Sequence, residues 1–349
     1  MDKSRLREVH KLLASSTGAD SNSNVIIIDG LNTFMRIFGA VPALNDDGDH
    51  VGGVVGFLRS IGSNIRQFQA TRCIVVFDGK GGSVRRRKIY PDYKGNRINK
   101  TKLNRHEEFE GLVDEAESMK RQFHRLVEYM DALPITLISI DNIEADDTIA
   151  YIAKQYYEFK PQEQVTIVST DRDFLQLVNN NIRVWSPIKK KLYTPEVLEK
   201  ELGIKAENYL LYRMFLGDPS DNIPGINSVG LKTLKSRFPE ICERKVSAEE
   251  ILKEARTRIN EDKKPLKVWT EIANNEPNLR RNYALMQLHD VDIPGHDKLT
   301  ITAILDRPMQ KLNINVFKKL FLEDKLYTSI KDMYSWLRET FYKLNIHAR

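Results

Sequence analysis

Short apolar runs that end in an acidic residue recur along the first half of this chain. The runs at residues 25–28, 73–77 and 165–170 are each followed directly by an aspartate, and the run at 135–140 is followed four residues later by Glu144. Runs of this length, rich in isoleucine and valine, are typical of buried strands. Because strands of parallel sheets are near-continuous apolar runs, the pattern predicts a parallel sheet.

Between these runs, apolar residues recur at helical spacing. Residues 54–68 and 107–130 predict two long amphipathic helices, and Ile149, Ile152 and Ala153 predict a third that begins at Glu144. Thr194 and Pro195 predict a helix start, and Gly203 predicts its end. The predicted fold class is therefore α/β, with a mostly parallel central sheet and flanking helices.

Nine acidic residues follow these runs or lie in a later Gly-Asp-Pro-Ser-Asp motif. Ligands of parallel sheets gather at the carboxyl ends of the strands, so these carboxylates are expected to converge. Without counter-charge they would repel one another and several would bind protons, whereas Mg²⁺ or Mn²⁺ would satisfy them. A two-ion site activates a water and stabilises the leaving oxygen of a phosphodiester. The nine are Asp29, Asp78, Glu144, Asp146, Asp147, Asp171, Asp173, Asp218 and Asp221.

An alternative exists for the acids of residues 144–147 taken alone. Acidic side chains in the first turn of a helix are favoured by the helix dipole, so these three are also consistent with a solvated, well-capped N-terminus. The acids that follow the other strands favour the metal site.

The order of these motifs resembles the 5′ nuclease (flap endonuclease) family, from about residue 25 to about residue 238. Residues 185–190 and the C-terminal third look most like the ribonuclease H subfamily of T-even bacteriophages. The resemblance implies a helical arch over the active site, a helix-hairpin-helix element and a C-terminal helical lobe. It rests on Ile28-Asp29-Gly30, Phe77-Asp78-Gly79, Tyr93-Lys94-Gly95-Asn96-Arg97, Glu144-Ala-Asp-Asp147, Ser169-Thr-Asp171-Arg-Asp173, and Gly217-Asp218 with Asp221-Asn222-Ile223-Pro224-Gly225.

The resemblance also implies roles for the acids. Two Mg²⁺ ions are expected, with Mn²⁺ able to substitute. The first ion would be bound by Asp29, Asp78, Glu144 and Asp146, and the second by Asp171, Asp173 and Asp218, with Asp146 shared between them. Asp147 and Asp221 would be outer ligands that act through water.

Positive charge is concentrated in one segment. The chain has 349 residues and a net charge of +6, whereas residues 80–105 alone contain ten Lys or Arg against one acid, so the remainder is negative. Such a run of charges is also consistent with a solvated face that binds no partner. Helical spacing, however, would place phosphate-binding and base-stacking groups on one face, namely Arg86, Tyr90, Tyr93, Lys94 and Arg97. The resemblance places this segment in the arch, with Lys94 and Arg97 catalytic at the scissile phosphate.

Residues 222–237 resemble the helix-hairpin-helix element of the family. The resemblance implies that its backbone amides contact duplex phosphates and that it holds a K⁺ ion. A serine stands where the family usually has a second glycine. A P-loop is excluded because Leu231 separates the second glycine from Lys232-Thr233. The candidate contacts are Gly225, Ser228, Gly230, Lys232 and Lys235.

The predicted organisation has three parts. Residues 1–24 form an N-terminal extension, residues 25–188 form the α/β nuclease domain with the basic arch at 80–130, and residues 189–349 form a helical C-terminal domain. The two cysteines, Cys73 and Cys242, exclude a disulfide framework. We expect no membrane segment and no signal peptide, and therefore a cytoplasmic protein. We also expect a monomer.

The predicted function is metal-dependent 5′ to 3′ hydrolysis of phosphodiesters, at 5′ ends of RNA–DNA hybrid or duplex DNA and at flaps. In a phage this activity would remove lagging-strand RNA primers. The resemblance implies a single-strand DNA-binding protein and a sliding clamp as partners. Two alternatives stay open, a structure-specific nucleic-acid-binding protein without turnover and a phosphatase-type hydrolase. The cluster of acids argues against the first, and the basic segment argues against the second.

Overall fold

Residues 24–97, 103–104, 111–156 and 163–348 are described by the structure, which is a computed structural model. Within these residues one large sheet has the strand order β3-β2-β1-β4-β5-β6. The first five strands are parallel and β6 is antiparallel to β5, which confirms the predicted sheet. The strands are β1 (Asn24–Asp29), β2 (Arg72–Asp78), β3 (Thr136–Ile140), β4 (Gln164–Val168), β5 (Ile182–Ser186) and β6 (Lys191–Tyr193).

Helices cover both faces of this sheet, which explains why its central strands are apolar along their whole length. In β1, residues 25–28 are completely buried. The helices are α1 (Gly30–Ala40), α2 (Gly52–Gln67), α3 (Val84–Ile89), α4 (Leu112–Asp131), α5 (Ala145–Ala150), α6 (Pro195–Leu202), α7 (Tyr209–Leu216), α8 (Leu231–Arg237), α9 (Ala248–Glu261), α10 (Lys267–Asn274), α11 (Glu276–Met286), α12 (Gly295–Asp306), α13 (Ile314–Glu323) and α14 (Met333–His347).

Several predicted helices are confirmed, with small shifts at their ends. The helix predicted over 54–68 is α2, and the one predicted over 107–130 is α4, which begins at Leu112. Helix α6 is capped by the hydroxyl of Thr194, has proline at its first position and ends at Gly203 with φ +67°. The predicted extension at 1–24 lies outside the described residues except for Asn24, which begins β1.

The C-terminal helices pack on the α/β layers. Phe317 of α13 and Phe341 of α14 belong to the same core as Phe34 and Phe57, whereas Ile301 of α12 joins the core on the other face of the sheet. A third core lies under the hairpin region and includes residues of α7 to α11. The predicted domain boundary at residue 189 stays a prediction, although β6 extends the main sheet beyond it.

No helix in the described part of the chain combines the length and apolar character that a membrane span requires.

The register of the sheet determines where the acids lie. Asp29 at the end of β1 is aligned with Val76 of β2, and Asp78 at the end of β2 is aligned with Ile140 of β3. Parallel strands therefore bring their terminal carboxylates to one edge. At Gly79 a Cβ atom would lie only 1.8 Å from the carbonyl oxygen of Ile140, so glycine permits this close approach.

Candidate functional site

The strand-end aspartates are held by hydrogen bonds from neighbouring segments. Asp29 caps α1 by accepting from the backbone amide of Asn32, and its other oxygen accepts from the hydroxyl of Ser169 at 2.9 Å. Asp78 accepts from the backbone amide of Ala145 at 2.9 Å. These contacts join β1, β2, β4 and the start of α5 around one edge of the sheet.

The three acids at the start of α5 have different environments. Glu144 is buried and accepts from Arg86 at 2.8 Å and from Lys94 at 3.1 Å. Asp147 is also buried, and two arginine guanidinium groups bind it. Asp146 is half-buried and has no basic partner among the described residues. The helix turn therefore directs one uncompensated carboxylate into the site.

Four acids at this edge form no ion pair within the described part of the chain: Asp29, Asp78, Asp146 and Asp171. Burial raises the pKa of Asp29 to about 7, with further increases from the charges of Asp171 and Asp78. Burial holds the pKa of Asp146 well above its usual range, and the negative charges of Asp171 and Asp29 raise it further. Burial raises the pKa of Asp171 as well. These shifts identify a region where negative charge is crowded, and the positive charges of Lys94 near Asp146 and of Arg213 near Asp171 offset it only in part.

Arg86 occupies a different position from the predicted one. Its guanidinium contacts both oxygens of Asp147, at 2.7 and 2.9 Å, and also donates to Glu144 and to the carbonyl of Leu285 in α11. Only 3% of the residue is exposed. The prediction that it lies on a nucleic-acid-facing surface is therefore wrong. It is the counter-ion that allows two acids of α5 to be buried.

The predicted helical face from Arg86 to Arg97 is also wrong. Helix α3 ends at Ile89, and Tyr90 is extended with φ −142° and ψ 102°. Pro91 explains this change, because the residue before a proline disfavours the helical conformation. The ring of Tyr90 packs under the guanidinium of Arg281. Tyr93 is buried and donates its hydroxyl to Glu144 at 3.1 Å, so its ring is not available for base stacking.

Lys94 points its ammonium group into the site. Its backbone has φ +56°, a conformation that is uncommon for residues other than glycine and that costs free energy. The backbone amide donates to the carbonyl of Asp221 at 2.9 Å, which holds this turn in place. The side chain is only 16% exposed and ends 3.1 Å from Glu144.

The turn that contains Lys94 is tied to the loop that precedes the hairpin. Arg97 forms an ion pair with Asp221, and its side chain remains half-exposed. Asn96 donates to the carbonyl of Pro219, and Asn222 donates to the carbonyl of Asp92, each at 2.9 Å. The predicted catalytic cations are therefore positioned by residues 219–222. Asp221 serves this link and lies against Arg97.

The second predicted acidic group already contains a cation. Arg213 of α7 donates to Asp173 at 2.8 Å and to Asp218 at 2.6 Å. Sequence reasoning missed this arginine. The available signal was a single basic residue in an otherwise apolar helix, five positions before Asp218 of the Gly-Asp motif, which indicates a buried counter-ion. Burial raises the pKa of Asp173, whereas at Asp218 hydrogen bonds from Ser220 and the charge of Arg213 outweigh burial and lower the pKa.

The hairpin residues are only partly placed as predicted. Ser228 has φ +61°, so it adopts the left-handed conformation at the position where the family usually has glycine. Ser228 and Lys232 are exposed, and Gly225 and Gly230 are half-buried. Lys235 instead donates to the carbonyl of Leu202 at 3.2 Å, so it caps the end of α6. The predicted K⁺ site and the backbone phosphate contacts stay predictions.

The acidic edge does not hold a preformed metal cage. In the part of the chain that the structure describes, no group of three acidic, histidine or cysteine side chains is arranged to hold a metal ion. The uncompensated oxygens of Asp29, Asp78, Asp146 and Asp171 nevertheless fit Mg²⁺ or Mn²⁺ in chemistry, because hard cations prefer carboxylate and water ligands. The pair Asp173 and Asp218 fits less well because Arg213 already binds it.

The sequence model described as "5'-3' exonuclease, N-terminal resolvase-like domain" matches residues 24–203. A 5'-3' exonuclease of Aquifex aeolicus is 30% identical over 313 residues, which cover 86% of this chain and 95% of that protein. The chain belongs to the 5′-3′ exonuclease family. It is therefore a nuclease, as the resemblance predicted, and not one of the two alternatives.

Other known proteins are similar to this chain in sequence or in fold. The thermostable DNA polymerase I of Thermus thermophilus is 32% identical over 215 residues, which cover 61% of this chain and 24% of the polymerase. A solved structure of the bacteriophage T5 D15 flap endonuclease, in a pseudo-enzyme-product complex with DNA and metal ions, matches with a TM-score of 0.60 and 21% identity. It covers 86% of this chain and 97% of that one, and it supports the fold assignment.

The metal-free protein is expected to lose stability as the pH rises from about 4 to about 7. Asp29 keeps its proton up to about pH 7 in the folded state but ionises near 3.8 when unfolded, so the folded state binds more protons in this window and the free energy of unfolding falls. Divalent cations should offset the loss. Urea unfolding in EDTA and in Mg²⁺ between about pH 4 and about pH 7 measures this change in the free energy of unfolding. In EDTA, Asp29→Asn should flatten the dependence, whereas a wild-type stability that rises through this window would contradict the assignment.

Proposed function

We propose that this nuclease uses divalent ions, bound first by Asp29, Asp78, Asp146 and Asp171, to hydrolyse phosphodiesters near 5′ ends. The observation that carries the proposal is that these four carboxylates lie at the carboxyl edge of the sheet without a basic partner. Carboxylates that no cation compensates are costly to bring together, so a site for a cation explains why they are there. Asp173 and Asp218 would hold a second ion.

The other three acids serve a different purpose in this proposal. Glu144, Asp147 and Asp221 are each ion-paired, to Lys94, Arg86 and Arg97 in particular. They therefore orient these three basic side chains and contribute little to the direct binding of the first divalent ion. This assignment changes the predicted role of Glu144 as a direct ligand, whereas the predicted water-mediated roles of Asp147 and Asp221 stay predictions.

The chain's own groups would act on the scissile phosphate as follows. A divalent ion bound at this edge supplies Lewis acidity and lowers the pKa of a bound water. The ammonium of Lys94, which Glu144 holds beside Asp146, would donate to a phosphate oxygen where negative charge develops. Arg97 is half-exposed and paired with Asp221. It would give up part of this ion pair to donate to a second oxygen of the phosphate. No nucleophilic side chain is required.

Nucleic acid is the substrate class that the family and the charge distribution favour. Related proteins are named 5'-3' exonuclease, and the similar T5 enzyme is a flap endonuclease crystallised with DNA and metal ions. We propose RNA–DNA hybrid, duplex ends and flaps as substrates, and primer removal in phage replication as the role, following the T-even resemblance. Partnership with a single-strand DNA-binding protein and a sliding clamp, the monomeric state and the cytoplasmic location stay predictions.

One assay tests this function. A 5′-labelled RNA–DNA hybrid, a nicked duplex and a flap are incubated with and without Mg²⁺, using the wild-type protein and Asp146→Asn. We expect Mg²⁺-dependent cleavage by the wild type and a loss of at least about 10³-fold in the variant, because it removes one uncompensated ligand.

Binding in Ca²⁺ or EDTA should survive in Asp146→Asn or become tighter, since one charge that repels phosphate is gone. Asp290→Asn, which alters an exposed aspartate beyond α11, is the matched control and should cleave normally. Cleavage that persists in EDTA, or full activity in Asp146→Asn, would refute the proposed metal site.

Lys94 and Lys232 are expected to serve different steps. Lys94→Met keeps the length of the side chain but removes its charge, so single-turnover cleavage at saturating enzyme should fall by roughly 10²-fold, about 2.7 kcal/mol, with little change in affinity. Lys232→Ala, at an exposed hairpin position, should leave that rate unchanged. It should lower the slope of log K against log salt by about one unit. A wild-type rate in Lys94→Met would show that its ammonium does not contact the reacting phosphate.

A further inference from the structure

Arg213 is placed as an internal cation between two acidic segments. Its side chain is 8% exposed, and the carboxylates of Asp173 and Asp218 that it binds are 17% and 14% exposed. Both its Nε and Nη2 atoms donate to Oδ1 of Asp173, and Nη2 also donates to Oδ2 of Asp218. One guanidinium therefore joins the segment after β4 to the loop after α7.

The oxygens of this acidic pair are largely occupied by protein donors. Besides Arg213, the amide and hydroxyl of Ser220 both donate to Oδ1 of Asp218, at 2.8 and 2.7 Å. An arginine keeps its charge at any pH that the protein experiences. A divalent ion that enters here must displace these donors or share the carboxylates with a neighbouring positive charge. Asp29, Asp78 and Asp171 also accept hydrogen bonds, but only from neutral amide and hydroxyl groups. None of these three acids, nor Asp146, is ion-paired in the described residues, so an ion that binds there need not displace an arginine.

We propose that Arg213 sets the affinity of the Asp173–Asp218 position for a divalent ion, so that the protein has one strong ion position and one weak one. The inference rests on the proposed function, because it concerns the second ion of that site. Arg213 is a positioning residue in this account: it holds the two acids together before the second ion arrives and opposes its binding. A purely structural role predicts the reverse, since loss of the arginine would then disorder the pair and weaken ion binding.

Direct ion binding distinguishes the two roles. Mn²⁺ titration followed by electron paramagnetic resonance, which counts free Mn²⁺, is carried out on the wild type, Arg213→Met and Arg213→Lys in the absence of nucleic acid. We expect the weaker site of Arg213→Met to tighten by tenfold or more while the stronger site changes less than about twofold. Arg213→Lys keeps the charge and should remain near the wild type.

Arg125→Met provides a matched control. Arg125 also bridges acidic residues, Glu128, Glu323 and Asp324, but it lies on α4 away from the acidic edge. Removing it changes the net charge equally and should leave both Mn²⁺ affinities unchanged. Tightening of the weaker site in this variant too would overturn the proposal, because the effect would then come from overall charge.

Folding is checked by circular dichroism, and Arg213→Gln replaces Arg213→Met if the methionine variant does not fold. A weaker site that loosens or stays unchanged in the folded variant would overturn the inference.

Asp146→Asn separates this failure from failure of the proposed function. If Asp146→Asn abolishes the strong site, the proposed metal centre stands and only the role of Arg213 fails. If the wild type binds no Mn²⁺, or Asp146→Asn binds it unchanged, both fail.

Discussion

Repulsion between carboxylates is the constraint on which the rest of this site depends. A parallel sheet whose strands end in aspartate brings several negative charges to one edge, and burial raises their free energy further. The chain compensates part of this charge internally. Arg86 binds Glu144 and Asp147, Arg213 binds Asp173 and Asp218, and Arg97 binds Asp221. The acids that form no ion pair in the described residues, Asp29, Asp78, Asp146 and Asp171, are the ones to which we assign the proposed divalent ion.

The same ion pairs connect parts of the chain that are distant in sequence. Arg86 joins α3 to α5 and, through the carbonyl of Leu285, to α11. The turn that carries Lys94 is attached to the loop before the hairpin by backbone and side-chain hydrogen bonds, including that from the Lys94 amide to Asp221. The strained backbone of Lys94 is therefore held by the segment that leads to the predicted duplex-binding hairpin.

Local patterns predicted much of this arrangement, whereas long-range pairing could not be predicted from them. The apolar runs identified β1, β2, β3 and β4 and their terminal acids, because burial in a parallel sheet leaves a continuous signature. Helical spacing failed between Arg86 and Arg97, where Pro91 ends the helix and should have been given more weight. Asp173, one of the two partners of Arg213, and Leu202, the partner of Lys235, come from other segments, 40 and 33 residues away. Such contacts depend on how helices dock, which spacing within one segment does not encode.

The position of a bound ion tests the central claim most directly. Crystals of the protein grown or soaked with Mn²⁺ would be measured near the manganese absorption edge to obtain an anomalous difference map. We predict that the strongest peak lies among the carboxylates of Asp29, Asp78, Asp146 and Asp171, while Arg86 remains on Asp147. A strongest peak at Asp173 and Asp218 with Arg213 displaced, or no peak at the acidic edge, would contradict the view that uncompensated charge determines where the ion binds.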